Sequence, residues 1–147
     1  MSIRAFSESP NIPRLEYKAD QSVHYTKGAL LYRDTSSGEV KEATAGAGTT
    51  LNIECISAED VTTGSGSARV DGYVINGPGQ LWVADCAADA IDTHLNLAHI
   101  MTSATIVNNT TTASESSAGV FVALAVVGAS SDKKLLGYFV KVGQVTA

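Results

Sequence analysis

Residues 119–127 read Gly-Val-Phe-Val-Ala-Leu-Ala-Val-Val and residues 135–142 read Leu-Leu-Gly-Tyr-Phe-Val-Lys-Val, with Gly-Ala-Ser-Ser-Asp-Lys-Lys between them. β-Branched and aromatic side chains fit a pleated backbone and lose rotamer freedom in a helix. A run that is apolar at successive positions, not alternate ones, reads as a strand covered on both faces. The longest such run is about half of the ~20 residues a membrane helix needs. The two segments therefore predict a hairpin of central, well-buried strands. Side chains of this size contribute ~1.5–3 kcal/mol each when buried, so the hairpin is expected to anchor a β core.

The rest of the chain is consistent with that core. Residues 22–34 lead through Thr35-Ser36-Ser37-Gly38 into Glu39-Val40-Lys41-Glu42-Ala43, a hairpin in which Gly38 takes positive φ. In residues 51–56, Leu51, Ile53 and Cys55 share one face, and Asn52 and Glu54 the other. Val61–Ala68 is a flexible connection. Arg69 to Asn76, a Gly77-Pro78-Gly79 turn and Gln80 to Asp85 predict a second hairpin. Residues 86–101 fit a helix face or an alternating strand; a helical turn near Ala87–Ile91 followed by a strand is expected. A short strand over 104–107 and a polar loop over 108–117 complete the pass. No internal repeat is visible. The expectation is an all-β, small Greek-key β-barrel or sandwich of about eight or nine short strands.

Residues 1–20 differ. Pro10 and Pro13 favour extended backbone, and Ile3, Phe6, Ile12, Leu15 and Tyr17 are spaced singly with no period. This predicts an extended N-terminal arm outside the core, with residues 21–147 as a single β-barrel domain. Five large apolar side chains are many for a tail that is merely solvated.

Composition narrows the function. The chain has 147 residues, 44% apolar and 17% charged, with 10 Lys+Arg against 15 Asp+Glu. A net charge of −5 gives no broad basic field for phosphates, so nucleic acid is a poor partner. No cluster of Lys and Arg suits an anionic membrane. The charged, proline-bearing N-terminus does not read as a signal peptide, so synthesis in a cytoplasm is expected and the Asn108 and Asn109 glycosylation patterns carry no weight. Cys55 and Cys86 lie in apolar stretches without metal or redox spacing. Two reduced, buried thiols is the simpler reading, and a disulfide formed after release into an oxidising medium is the alternative.

Catalytic patterns do not emerge. His94 and His99 are five apart, which suits neither one face of a helix nor one face of a strand, and a metal site wants three or four convergent ligands. Glycine clusters match neither GxGxxG nor a P-loop, and nucleophile-elbow and HExxH motifs are missing. Glu59-Asp60 and Asp89/Asp92 read as surface carboxylates in turns, and they lack calcium-loop spacing. No cofactor is expected. Trp82, the single tryptophan, alternates with Leu81 and Val83 beside a turn and suits a core or subunit interface.

The order of features does resemble a known family. Val23-His24-Tyr25-Thr26-Lys27-Gly28-Ala29-Leu30-Leu31, an acidic turn, Gly38-Glu39-Val40-Lys41-Glu42-Ala43, Ile53 to Asp60 and Val70-Asp71-Gly72-Tyr73-Val74 precede the closing apolar strand pair. Over residues 22–145 this is similar to the small β-barrel decoration, or cement, proteins of lambda-like phage heads. The resemblance implies a non-catalytic virion protein on the outer surface of an expanded capsid. It would form a homotrimer at threefold positions and bridge neighbouring subunits of the major capsid protein, with an N-terminal arm reaching onto the shell. Ile3, Phe6, Ile12, Leu15 and Tyr17 would be the anchors of that arm. A carbohydrate-binding or adhesion module using Trp82, Tyr73 and Tyr138, and another head or tail subunit, are the competing readings.

Overall fold

The computed structural model describes residues 2–6, 12–44, 52–112 and 119–140. In chain order its strands are β1 (Ile3–Ala5), β2 (Arg14–Lys18), β3 (His24–Tyr25), β4 (Leu30–Arg33), β5 (Val40–Glu42), β6 (Asn52–Ser57) and β7 (Val61–Thr62). They continue with β8 (Arg69–Val74), β9 (Trp82–Cys86), β10 (Ala98–Ser103), β11 (Ile106–Thr112), β12 (Phe121–Val126) and β13 (Lys134–Phe139). Single 3-10 turns at Asp92–His94 and Ser130–Asp132 are the only helical elements among the described residues. The all-β barrel expectation holds. The strand count is higher than expected because positive φ at Gly28 splits the run 22–33 into β3 and β4, and because the N-terminal segment and the 61–68 connection carry strands of their own.

Two five-stranded rings hold ten of the strands; β3 and β7 pair with each other in a small separate sheet. In the first, β2, β8, β6, β4 and β5 lie side by side, and the ring meets itself at a parallel bridge between Ala19 and Val40. In the second, β9, β11, β10, β12 and β13 close fully through the β9–β13 pairing. One core lies inside the first ring, around Tyr17, Tyr25, Leu31, Val40, Cys55 and Val70. The larger core draws Leu30, Ile53 and Ile56 from the first ring and Trp82, Met101, Phe121, Leu135 and Phe139 from the second, so the two rings share it. Phe121 and Phe139 meet edge to face at 5.2 Å, a favoured aromatic geometry.

The rings repeat one another. Taken in chain order, the five strands of each occupy the same order around the ring, with one parallel pairing, first strand to third. The third-to-fourth connection skips a neighbour in both, as Greek-key connections do. Registers also coincide. Leu15 faces Gly72 as Trp82 faces Gly137; Ile56 faces Tyr73 as Val122 faces Tyr138; Leu30 faces Ile56 as Ala98 faces Val122; Ala19 faces Val40 as Cys86 faces Val107. The Gly28 N–H donates to the Ser57 carbonyl at 2.9 Å, and its counterpart Asn96, also at positive φ, donates to Ala123 at 2.7 Å. The expectation of no repeat is therefore corrected. The repeat lies in connectivity and register, and in sequence it surfaces chiefly as Gly72-Tyr73 and Gly137-Tyr138.

Other expectations sort by what sets pairing. The closing hairpin forms as expected, β12 against β13, although Leu124 sits at a register shift and is 40% exposed. The hairpin of β4 and β5 forms around Gly38 at φ +74°. β8 and β9 are strands but not a hairpin: Gln80 folds back, accepting from the Asn76 N–H at 2.6 Å and donating to the Val74 carbonyl at 3.0 Å, and the chain passes into the second ring. Ile53 and Cys55 do not share a face. Glu54 is an extra residue opposite β4, a bulge that sends Ile53 to the shared core and Cys55 to the first ring's interior. The helical turn expected at 87–91 lies at Asp92–His94 instead. β11 runs to Thr112 through residues expected to be loop, because Asn109 is buried and bonded inward. Leu51 and residues 113–117 of that loop lie outside the described residues.

Candidate interaction surface

The N-terminal segment is extended, but it is not outside the core. β1 adds to the edge of β9, antiparallel, with Ile3 opposite Ala84 and Ala5 opposite Trp82. The Ser2 N–H donates to Asp85 Oδ2 at 2.8 Å, the Ile3 N–H to the Gly28 carbonyl at 2.9 Å and the Phe6 N–H to the Leu81 carbonyl at 3.0 Å. A Cβ on Gly28 would stand 2.5 Å from that of Ser2, so the chain passes there only because position 28 has no side chain. β2 is likewise an integral strand, paired with β8 over its whole length.

The five proposed anchors are thus divided. Ile3 is 2% exposed in the shared core and Tyr17 is 7% exposed in the first ring's core. Neither is available to a partner, and both are corrected as anchors: their apolar area is already removed from water within the chain. The Arg33 guanidinium lies 5.9 Å from the centre of the Tyr17 ring, and burial pushes the Tyr17 hydroxyl up to about 12. Phe6 and Ile12 are partly covered, and Leu15 is 53% exposed, the most exposed large apolar side chain described. Ile3, Phe6 and Ile12 come together around a cavity of roughly 730 Å³, whose walls include Ile56, Tyr73, Trp82, Lys27 and Asp60; Leu15 and Tyr17 do not reach it.

The charged groups of this region hold strands together. Arg14 meets Asp71 at 2.8 Å and Arg69 meets Glu16 at 4.0 Å, both across β2 and β8. Arg33 pairs with Glu54 of the bulge at 2.7 Å. Asp34 is held well below the usual carboxylate range, first by the Ser36 hydroxyl and then by Lys41 at 2.9 Å, within the turn joining β4 and β5.

Histidines 94 and 99 do come together, edge to face at 6.0 Å. His99 is fully buried with Nε2 2.8 Å from the His94 carbonyl, and His94 Nδ1 is 3.1 Å from Asn109 Nδ2. Burial, with His99 nearby, lowers the pKa of His94. Asn109 in turn bonds the backbone of Ala88 and Asp89, so the group ties the 3-10 turn to β10 and β11. Among the described residues, no three His, Cys, Asp or Glu side chains are placed to hold a metal ion. Cys55 and Cys86 are free, buried thiols; burial pushes Cys86 up to about 12 and Cys55 higher. Trp82 is fully buried against Phe139 at 6.3 Å, which removes it as a sugar-stacking platform.

Sequence reasoning missed Asp85 and Gly28, which seat β1. Asp85 had a signal: it is a lone carboxylate in Trp-Val-Ala-Asp-Cys, and an acid at 9% exposure needs donors. The chain matches no family model and no curated protein. No helix among the described residues is long and apolar enough to cross a membrane.

Proposed function

We propose that this chain is a structural virion protein that decorates the outer surface of an expanded phage capsid. It acts as a homotrimer at threefold positions and bridges neighbouring major capsid subunits. Besides the resemblance of residues 22–145, one observation carries the reading: Leu15 stands 53% exposed on an edge strand, in the segment for which a capsid contact is expected. A large apolar side chain left exposed between charged neighbours on a strand edge is available to be covered by a partner. Many weak, symmetric contacts then add by avidity over a shell. Ile3 and Tyr17 serve the contact indirectly, by holding β1 and β2 in place.

The test is sedimentation of purified protein with expanded, undecorated heads of the source virus, beside Leu15→Glu. Deleting residues 1–20 is uninformative, since it removes two strands. Saturable pelleting in a symmetry-compatible ratio, weakened at least tenfold by Leu15→Glu with an unchanged melting temperature, is expected. Pelleting by both proteins keeps decoration and discards Leu15 as a contact. Pelleting by neither refutes the decoration reading.

A further inference from the structure

The repeat between the two rings exposes a difference at one equivalent place. In β9, alternate residues turn their backbone groups away from β13 and hold β1: the Leu81 carbonyl accepts from Phe6, Val83 faces Arg4, and the Asp85 N–H donates to the Ser2 carbonyl at 3.3 Å. The matching residues of the first ring are Arg14, Glu16 and Lys18. The Pro13 carbonyl and the Ala19 N–H bond toward β8, so alternation turns the backbone groups of residues 14, 16 and 18 outward. The ring closes beyond them, at Ala19 and Val40. Among the described residues, nothing bonds the outward groups of Arg14 and Glu16 or the outward N–H of Lys18. Among the described residues, no strand takes in the first ring the seat that β1 fills in the second.

We propose that the outer edge of β2 is a docking site for an extended strand of a partner protein, running antiparallel to β2 as β1 runs to β9. The chemistry of the partner follows from the edge. Arg14, Glu16 and Lys18 present plus, minus and plus on one face, with Arg14 48% and Glu16 65% exposed despite their ion pairs along β8. A complementary strand carries acid, base and acid at alternate positions, with an apolar residue between them to cover Leu15. A second copy of β2 fits poorly. The longest antiparallel overlap would set Glu16 against Glu16 and Arg14 against Lys18, like charges directly opposite. The chain's own β1 is already committed to β9. The proposal stands apart from the virion reading and concerns any partner that offers such a strand.

The experiment is an NMR titration of the full chain with a short capped peptide centred on Asp-Val-Lys-Val-Glu, up to ~1 mM. Saturable changes at the amides of residues 14, 16 and 18 are expected, with slowed amide exchange there. Glu16→Lys weakens binding about two- to fivefold, and a peptide with Glu in place of its central Lys recovers it. Glu16→Pro, which removes the outward N–H together with the carboxylate, abolishes it, well beyond the loss seen with Glu16→Lys. If those amides do not respond, or if both peptides act equally on both proteins, the proposal is wrong. Self-association of the chain through the same amides would overturn it in favour of a second copy.

Discussion

Gly137 is where the second ring has least room. It lies in β13 opposite Ala123 of β12 and Trp82 of β9. A Cβ added there would run into the Val122 carbonyl and stand 2.7 and 2.9 Å from Cζ and Cε1 of Phe121. Ordinary contact begins near 3.4 Å, so the ring would have to retreat by about 0.7 Å. It has little room to retreat: Phe121 is fully buried and packs edge to face against Phe139. The carbonyl belongs to the backbone of β12 and cannot turn aside without disturbing the pairing with β13. Overpacking of this kind costs ~1–3 kcal/mol, and an immovable backbone atom puts Gly137→Ala at the upper end, ~3 kcal/mol. For a domain of this size that lowers Tm by roughly 6–12 °C. Gly79→Ala, with open space around it and no positive φ, is the control and stays within ~0.5 kcal/mol of the parent. Thermal and urea unfolding of the two variants decide it. If Gly137→Ala melts within about 2 °C of the parent, the close approach of β13 to β12 is not a constraint and the reasoning fails.

Ile3→Ala should cost ~2–4 kcal/mol in urea unfolding, because a side chain 2% exposed leaves a cavity in the shared core; a surface-like effect below ~0.5 kcal/mol would mean β1 is not docked in solution. The Tyr17 hydroxyl is raised by burial from 10.0 to about 12, so its neutral form is the one the fold favours. Stability from this group is whole below pH 10 and is lost as pH rises through that window; Tyr17→Phe should blunt alkaline unfolding, and tyrosinate absorbance, in which Tyr17 and the likewise raised, buried Tyr25 titrate late, should lose one late-titrating ring in that variant. Both thiols, raised by burial, should resist an aromatic disulfide reagent in the native protein and react together on unfolding, whereas rapid reaction of either would contradict the packing.

Local sequence signals carried the element types well and the pairings poorly. The strands of the closing hairpin were legible because both are apolar runs joined by a short polar turn, so pairing partner and neighbour in sequence coincide. The same logic misassigned β8 and β9. Adjacency in sequence does not decide pairing when a side chain such as Gln80 redirects the chain between two rings. Alternation placed Ile53 and Cys55 together, but one inserted residue, Glu54, inverts the faces and leaves no mark on the hydrophobic pattern. In the N-terminal segment the apolar residues were visible and their destinations were not. Ile3 is buried by a ladder to β9, about eighty residues away in sequence, and no local period reports such a contact. Phe6 and Ile12 stay partly covered, and Leu15 is the one of the five that is exposed, for the converse reason: its strand lies at an edge of the first ring.

The repeat itself escaped notice because the rings conserve volume and register, not residues. At matched positions the first ring holds Tyr17 and Cys55, and the second holds Ala84 and Phe121. A large side chain on the first strand meets a small one on the fourth in one ring, and the sizes are exchanged in the other. In both, the fifth strand carries glycine where it passes them: a Cβ on Gly72 would touch Cys55 and Tyr17, as one on Gly137 would touch Phe121. Cores tolerate such exchanges when total volume is kept. The arrangement predicts that the first ring accepts the second ring's solution. Tyr17→Ala alone should cost ~3–5 kcal/mol by leaving a cavity, and Cys55→Phe alone ~1–3 kcal/mol or more by overpacking. Together they should be less damaging than their sum by ~1–3 kcal/mol, since each supplies the space or bulk the other lacks. Urea unfolding of the two single variants and the double variant measures that coupling. Additivity within ~0.5 kcal/mol would mean that the matched positions do not share one packing site, and that the likeness of the two rings stops at the backbone.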